Sequence, residues 1–244
     1  MLIGLQFKQI IGVAYLESRW IKRQPLWIFQ SIISSIGFIL ILFAWGSISA
    51  LRNLVVAYIV AGAWSQGLNI VAQSIGWSRI GGEYERYIAS PVTLSSYFLG
   101  IVLATSPFML ITLIPATILA IILTIKITEF LLLLSLIPIA LIMGAFLSLS
   151  IILRIKNPTN ISAITNPLNT FTIVLPPVYY PLTVVPENLR VICLFMPTVS
   201  LVELGRWIIL HRSATNIMYA IIIIAGWLVA LTILLLRKLR WGLE

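Results

Sequence analysis

The sequence predicts an all-α integral membrane protein: an N-terminal interfacial amphipathic helix, six transmembrane helices, and re-entrant outer helices between the fifth and sixth. Two observations carry this. The chain is 60% hydrophobic and only 9% charged over 244 residues, whereas a soluble domain is about 25% charged. Long apolar runs recur between short polar turns. A spanning helix needs about 20 apolar residues, so six spans use roughly half the chain as one membrane domain, 1–244.

Residues 1–24 do not read as a signal peptide, because Lys8, Glu17, Arg19, Lys22 and Arg23 interrupt any apolar core. At helical spacing Ile3, Phe7, Ile10, Ala14 and Ile21 share one face, and Lys8, Gly12, Tyr15, Arg19 and Arg23 the other. This pattern fits a helix lying in the membrane interface. A cytoplasmic extension packed on other helices is the alternative. Pro25 opens the first span, Leu26 to Trp45. The second runs from Leu54 to Gly76, and a polar segment, 77–91, follows. The third, Ser96 to Ile125, contains Pro107 and Pro115 and is expected to kink. Lys126 to Glu129 reads as a tight turn before the fourth span, Phe130 to Leu153. The fifth is Ile161 to Val178 and the last Asn216 to Leu236. Between them, 176–212 is too polar and too rich in Pro for a span. It reads as short helices that enter the outer face without crossing it, sheltered by protein.

Basic residues set the orientation. Lys8, Arg19, Lys22, Arg23, Arg79, Arg86, Arg154, Lys156, Arg237, Lys238 and Arg240 fall on the side of the N terminus. Only Arg52, Lys126, Arg190, Arg206 and Arg212 fall opposite. The positive-inside rule places both termini in the cytoplasm of a multi-pass cell-membrane protein. The net charge of +9 then belongs to loops beside anionic lipid, not to nucleic acid. Trp45, Trp77, Tyr97, Tyr179, Tyr180 and Trp241 fall near the expected interfaces.

The inventory excludes much chemistry. There is no Asp, one His (His211) and one Cys (Cys193), so no metal cluster, intrachain disulfide or aspartate catalysis is expected. His211 is expected at the outer interface and Cys193 in packing. No phosphate-binding G-x-x-x-x-G-K-[ST] loop occurs. No catalytic residue is expected, and any ATP-driven work needs another subunit.

Two polar stripes stand out. Gly62, Gln66, Asn69, Gln73 and Gly76 share a face of the second span, and Ser162, Asn166, Asn169 and Thr172 a face of the fifth. Amides facing lipid lack partners, so the stripes either join helices or line a path. Glu203 and Arg206 are spaced to pair on a short helix. Their plainest reading is a local, partly exposed ion pair. The expected spans carry no deep Glu, Lys or Arg, which speaks against an ion-coupled carrier. A small channel or secondary carrier without an ATPase is the alternative. An intramembrane enzyme lacks its catalytic constellation, and a permease-like regulator is a further reading.

Gly82-Glu-Tyr-Glu-Arg-Tyr-Ile-Ala-Ser-Pro91, followed by Tyr97-Phe-Leu-Gly100, resembles the G-T-L-E-x-L-x-x-[ST]-P…Y-x-x-G pattern of ABC-2 type permeases, the membrane subunits of type V ABC exporters. Glu85, Ser90, Pro91 and Gly100 match, while Glu83 and Tyr84 depart from Thr-Leu. Pro181 to Arg190, with Pro197, Glu203 and Arg206, is similar to the family's outer segment. The resemblance covers nearly the whole chain. It implies two permease copies, identical or related, each docked on an ABC ATPase subunit that binds ATP and Mg. It implies that Glu83, Tyr84, Glu85, Arg86, Tyr87 and Ile88 form a coupling helix, its charges offering polar contacts and Tyr84, Tyr87 and Ile88 apolar anchors, with Arg19, Lys22 and Arg23 also touching the ATPase. Gln66, Asn69, Gln73, Asn166, Asn169 and Thr172 would line the path, and Glu203 and Arg206 would close the exit. The implied substrates are drugs, lipids, lipid-linked glycans or peptides.

Overall fold

The computed structural model describes residues 2–19, 26, 29, 32, 33, 36, 37, 39, 40, 43, 44, 47–153, 155 and 157–238. Most of the expected first span lies outside the described residues, as do Lys22, Arg23, Trp45, Arg154, Lys156, Arg240 and Trp241. Among the described residues every regular element is a helix.

The elements are α1 (Leu2–Glu17), α2 (Ile48–Ser65), a π turn (Gln66–Ile70), α3 (Val71–Ile80), α4 (Glu83–Ile88), α5 (Leu94–Thr105) and α6 (Pro107–Ile122). Then come α7 (Ile127–Leu134), α8 (Leu136–Ile152), α9 (Ile161–Ile173), α10 (Glu187–Leu194), α11 (Pro197–Leu210) and α12 (Ile217–Lys238). Among the described residues, three runs are long and apolar enough to cross a bilayer: Ile48–Ile80, Ile127–Ile152 and Ile217–Arg237. The most apolar stretch of the first is 78% buried and that of the last 22%, so α2–α3 is the central post and α12 stands at the rim.

Each boundary has a local cause. Ser47 caps α2 by accepting from Ala50 N, and Thr93 caps α5 by accepting from Ser96 N. Pro107 has no N–H to give Leu103 O, so the third span breaks there; Ser106 N and Oγ bond that carbonyl instead. Pro115, the other expected kink, lies inside α6. α10 and α11 meet at 105°. That angle is too sharp for one straight span. Gly82, at φ +69°, supplies the left-handed turn that starts α4.

Four expectations change. The second span extends to Ile48 and Ile80, beyond Leu54 and Gly76, because its flanking polar residues continue the helix. Ile127 to Glu129 is the first turn of α7; the tight turn falls just before it, where Thr124 takes φ +52°. The fifth helix ends at Ile173, not Val178, and has 13 residues. Tyr97, expected in an aromatic belt, is wholly buried by the chain itself and donates to Ser78 Oγ at 3.2 Å.

Lipid tails are as apolar as Leu, so close backbone contact and hydrogen bonds must hold such helices together. Gly67 and Gly144 supply the contact. A Cβ at Gly67 would overlap Leu141 O, and one at Gly144 would lie 2.5 Å from Trp64 O. The π turn sits at this crossing of α2–α3 with α8. Two packed clusters result. The larger joins α2, α6, α8, α11 and α12. The smaller gathers Val13, Ile75, Tyr84, Tyr97, Phe98, Ile152 and Ile161 around the end that carries α4.

Candidate functional site

Three groups of the expected residues gain a geometry. The two polar stripes meet each other. Asn69 Nδ2 donates to Asn166 Oδ1 at 2.8 Å, and Asn69 Oδ1 accepts from Gln73 Nε2 and Thr165 Oγ1, both at 2.9 Å. One turn away, Ser65 Oγ donates to Asn169 Oδ1 and Trp64 Nε1 to Thr172 Oγ1, both at 3.0 Å. Asn69 is the hub, and the stripes hold α2–α3 to α9. Asn166 and Thr170 remain exposed beside Ile164, Phe171 and Val174, so this seam has an open side of mixed polarity.

Gln66 leaves the stripe. The 4-3-4-3 spacing assumes an unbroken α-helix, and the π turn starts at Gln66 itself. Its side chain is buried and donates to Thr105 O, a carbonyl at the break in the third span. Gln66 thus mends the kink rather than facing the open side. Thr172 is also buried, between Trp64 and α11, where Thr198 Oγ1 donates to its carbonyl.

The expected coupling segment is two-sided. Glu83, Glu85 and Arg86 are exposed. Tyr84, expected to be an apolar anchor for a partner, is 3% exposed and packs edge-on against Tyr97, ring centroids 5.6 Å apart. Tyr87 also turns inward, 4.8 Å from the Tyr97 ring, and donates to Glu17 Oε1 at 3.0 Å. Burial pushes the Glu17 carboxyl up to about 7; the Tyr87 hydrogen bond opposes this and Glu83 adds to it. Burial raises the Tyr84 phenol as well, and burial together with the Glu17 carboxyl raises that of Tyr87. Ile88 is half-buried. Arg19 is exposed, with its guanidinium 4.9 Å from the Tyr15 ring.

α1 packs through a third set of positions, between the two expected faces. Phe7, on the expected apolar face, is exposed, as are Leu5, Ile11 and Leu16, while Gln9, Val13 and Glu17 turn toward the chain. Glu17 was visible only as a charge. Its spacing of four from Val13 and eight from Gln9 was the available signal.

Glu203 and Arg206 pair, but not at a surface. They are 1% and 3% exposed, and Arg206 Nη1 donates to Glu203 Oε1 at 2.6 Å. The other bonds go to backbone and to Asn53. His211, exposed at the end of α11, lies 3.3 Å from Glu129 Oε1. Cys193 is half-buried and free.

The sequence model of the family described as ABC-2 type transporter matches residues 8–210. The match takes in residues 77–91, both polar stripes and the Glu203–Arg206 pair. No curated protein matches the chain. The chain belongs to the ABC-2 type transporter family: it is a multi-pass membrane subunit of a transporter and is not itself catalytic.

Proposed function

We propose that this member of the ABC-2 family is the permease of an ATP-driven exporter that moves an amphipathic substrate outward: a drug, lipid, lipid-linked glycan or peptide. The single domain, 1–244, crosses the cell membrane six times with both termini in the cytoplasm. It has an interfacial helix (1–24), a coupling loop (77–91) and an outer re-entrant segment (176–212). Two permease copies pair, identical or related, each on one ABC ATPase subunit, and that subunit holds ATP and Mg.

The observation that carries this reading is the two-sided helix α4. Its tyrosines are fixed in the chain's own core while Glu83, Glu85 and Arg86 face outward on the side of the basic loops. That is the arrangement of a rigid plug for a protein groove. Arg19, Lys22 and Arg23 extend the same contact. The open side of the Asn69–Asn166 seam, with amides beside Ile164 and Phe171, suits a path for a molecule with polar and apolar parts. The Glu203–Arg206 pair closes the outer end as part of a fixed wall.

A gentle-detergent pulldown of the tagged chain from its native membranes, followed by mass spectrometry, tests the reading. A stoichiometric partner carrying a Walker A motif supports it. The chain alone, or only with itself, removes the energy source and favours a channel or carrier.

A further inference from the structure

The coupling helix is gripped by a residue with no expected role. α1 turns three side chains, spaced by four, toward the rest of the chain, and so presents one helical face. Gln9 holds the loop after α4 with both ends of its amide: Nε2 donates to Pro91 O at 2.8 Å, and Oε1 accepts from Thr93 N at 3.4 Å. Val13 is buried in the notch left by Gly100, where a Cβ would lie 2.6 Å from Val13 Cβ. Glu17, 9% exposed, accepts the Tyr87 hydroxyl at 3.0 Å. One face of α1 therefore reaches the 91–93 loop, α5 and α4 in turn.

Packing alone does not explain a carboxyl at the last of these positions. A buried carboxyl is costly unless hydrogen-bonded, and an apolar side chain would fill the space without that cost. What the carboxyl adds is direction. Tyr87 is held by its hydroxyl at one end and by the Tyr97 ring on its side, and Tyr97 is held in turn through Ser78 on α3. This fixes the azimuth of α4, and hence where Glu83, Glu85 and Arg86 point.

We propose that Glu17 is the positioning residue of the coupling segment: by holding Tyr87 it makes α1 and α4 a single lever, so that a push on α4 reaches α1 and α5 together. This rests on the coupling role assigned to α4 above.

The test uses the full chain co-purified with its ATPase, with Cys193→Ser and spin labels at Leu16→Cys and Ala89→Cys, both exposed positions. The expected wild-type result is one narrow distance distribution, unchanged by ATP with vanadate. Glu17→Ala and Tyr87→Phe should broaden it and lower the ATPase rate of the complex about fivefold, the weight of one net hydrogen bond. Glu17→Gln, which still accepts the hydroxyl, should keep both at wild type. A narrow distribution in Glu17→Ala overturns the proposal, and so does a Glu17→Gln protein that behaves like Glu17→Ala. If no ATPase co-purifies with the wild type, the coupling role fails by that sign alone. The distances in the isolated membrane subunit then decide the lever: broadening in Glu17→Ala supports it and an unchanged width overturns it.

Discussion

Arg206 and Glu203 form a buried ion pair of 2.6 Å on α11, and the pair is the centre of a larger fastening. Arg206 Nε donates to Asn53 Oδ1 on α2, and its Nη atoms donate to the carbonyls of Pro177, Val178 and Tyr180. Glu203 Oε2 accepts Ala214 N. The chain leaving α9, the helix α11 and the entry to α12 are thus tied to the central post.

Arg206→Ala leaves a buried carboxylate and several carbonyls unpaired, a loss of about 3–5 kcal/mol for a broken buried pair. The expected outcome is a lower melting temperature in detergent and a large fall in monodisperse yield. Arg206→Lys should recover only part of this, since an ammonium cannot reproduce the planar fork that reaches Asn53 and three carbonyls. Full stability in Arg206→Ala would return the pair to a local role.

Asn69 bonds three neighbours and Asn166 one side chain. Asn69→Leu should therefore cost more stability than Asn166→Leu, at about 0.6 kcal/mol per interhelical bond lost. Asn166 lies on the open side, so Asn166→Leu should chiefly alter transport by the intact complex. Thermal unfolding and transport, measured on the same two variants, separate the roles. Equal melting temperatures would remove Asn69 as the hub.

The helices were legible because their signals are local: apolar runs of the right length, Pro107 at the break, Pro-rich spacing before α11. The two stripes were legible as faces, but their meeting was not, because pairing Asn69 with Asn166 spans 97 positions. Gln66 was misassigned for a nameable reason. A π turn shifts the register, and what accompanies it is the contact of Gly67 with Leu141 and Ala145 on another helix. Tyr84 and Tyr87 read as anchors for a partner because sequence shows that a ring is available, not which way it turns. The burial of Glu203 and Arg206 was hidden in the same way, since spacing reports the pair and not its surroundings.

Reversing the exposed charges of α4, by Glu83→Lys, Glu85→Lys and Arg86→Glu, replaces no residue of the buried tyrosine cluster. The triple variant should insert and unfold like wild type while losing the link between ATP hydrolysis and transport. Transport at the wild-type rate would refute the coupling assignment.

Gly67→Ala should be among the most damaging small changes. The added methyl meets the Leu141 carbonyl of a neighbouring helix, and backbone cannot rotate aside as a side chain can. Overpacking of this kind costs about 1–3 kcal/mol or more. Gly226→Ala is the control, because nothing lies within 4 Å of its new methyl. It should be neutral or slightly stabilising, as helix propensity favours Ala over Gly by about 1 kcal/mol. Equal melting temperatures for the two variants would contradict the close crossing of α2–α3 with α8.

The Glu17 carboxyl gives the fold a pH dependence of unusual sign. Most structural carboxylates are paired, titrate low when folded, and lose their contribution in acid. Glu17 is buried beside a hydroxyl, and its folded value is raised from 4.5 to about 7. The groups facing it are Tyr87 and Glu83 on α4 and Tyr97 on α5; Arg86, on α4, is exposed. Between 4.5 and about 7 the folded state holds a proton that the unfolded state has released. Stability therefore falls as pH rises through that window and levels off above it. Wild type should melt at a higher temperature at the acidic end of the window than just above it, after the general charge effect is subtracted. Glu17→Gln, with no proton to lose, supplies that subtraction. Parallel pH profiles for the two proteins would show that Glu17 is solvated and does not hold Tyr87 in a dry contact.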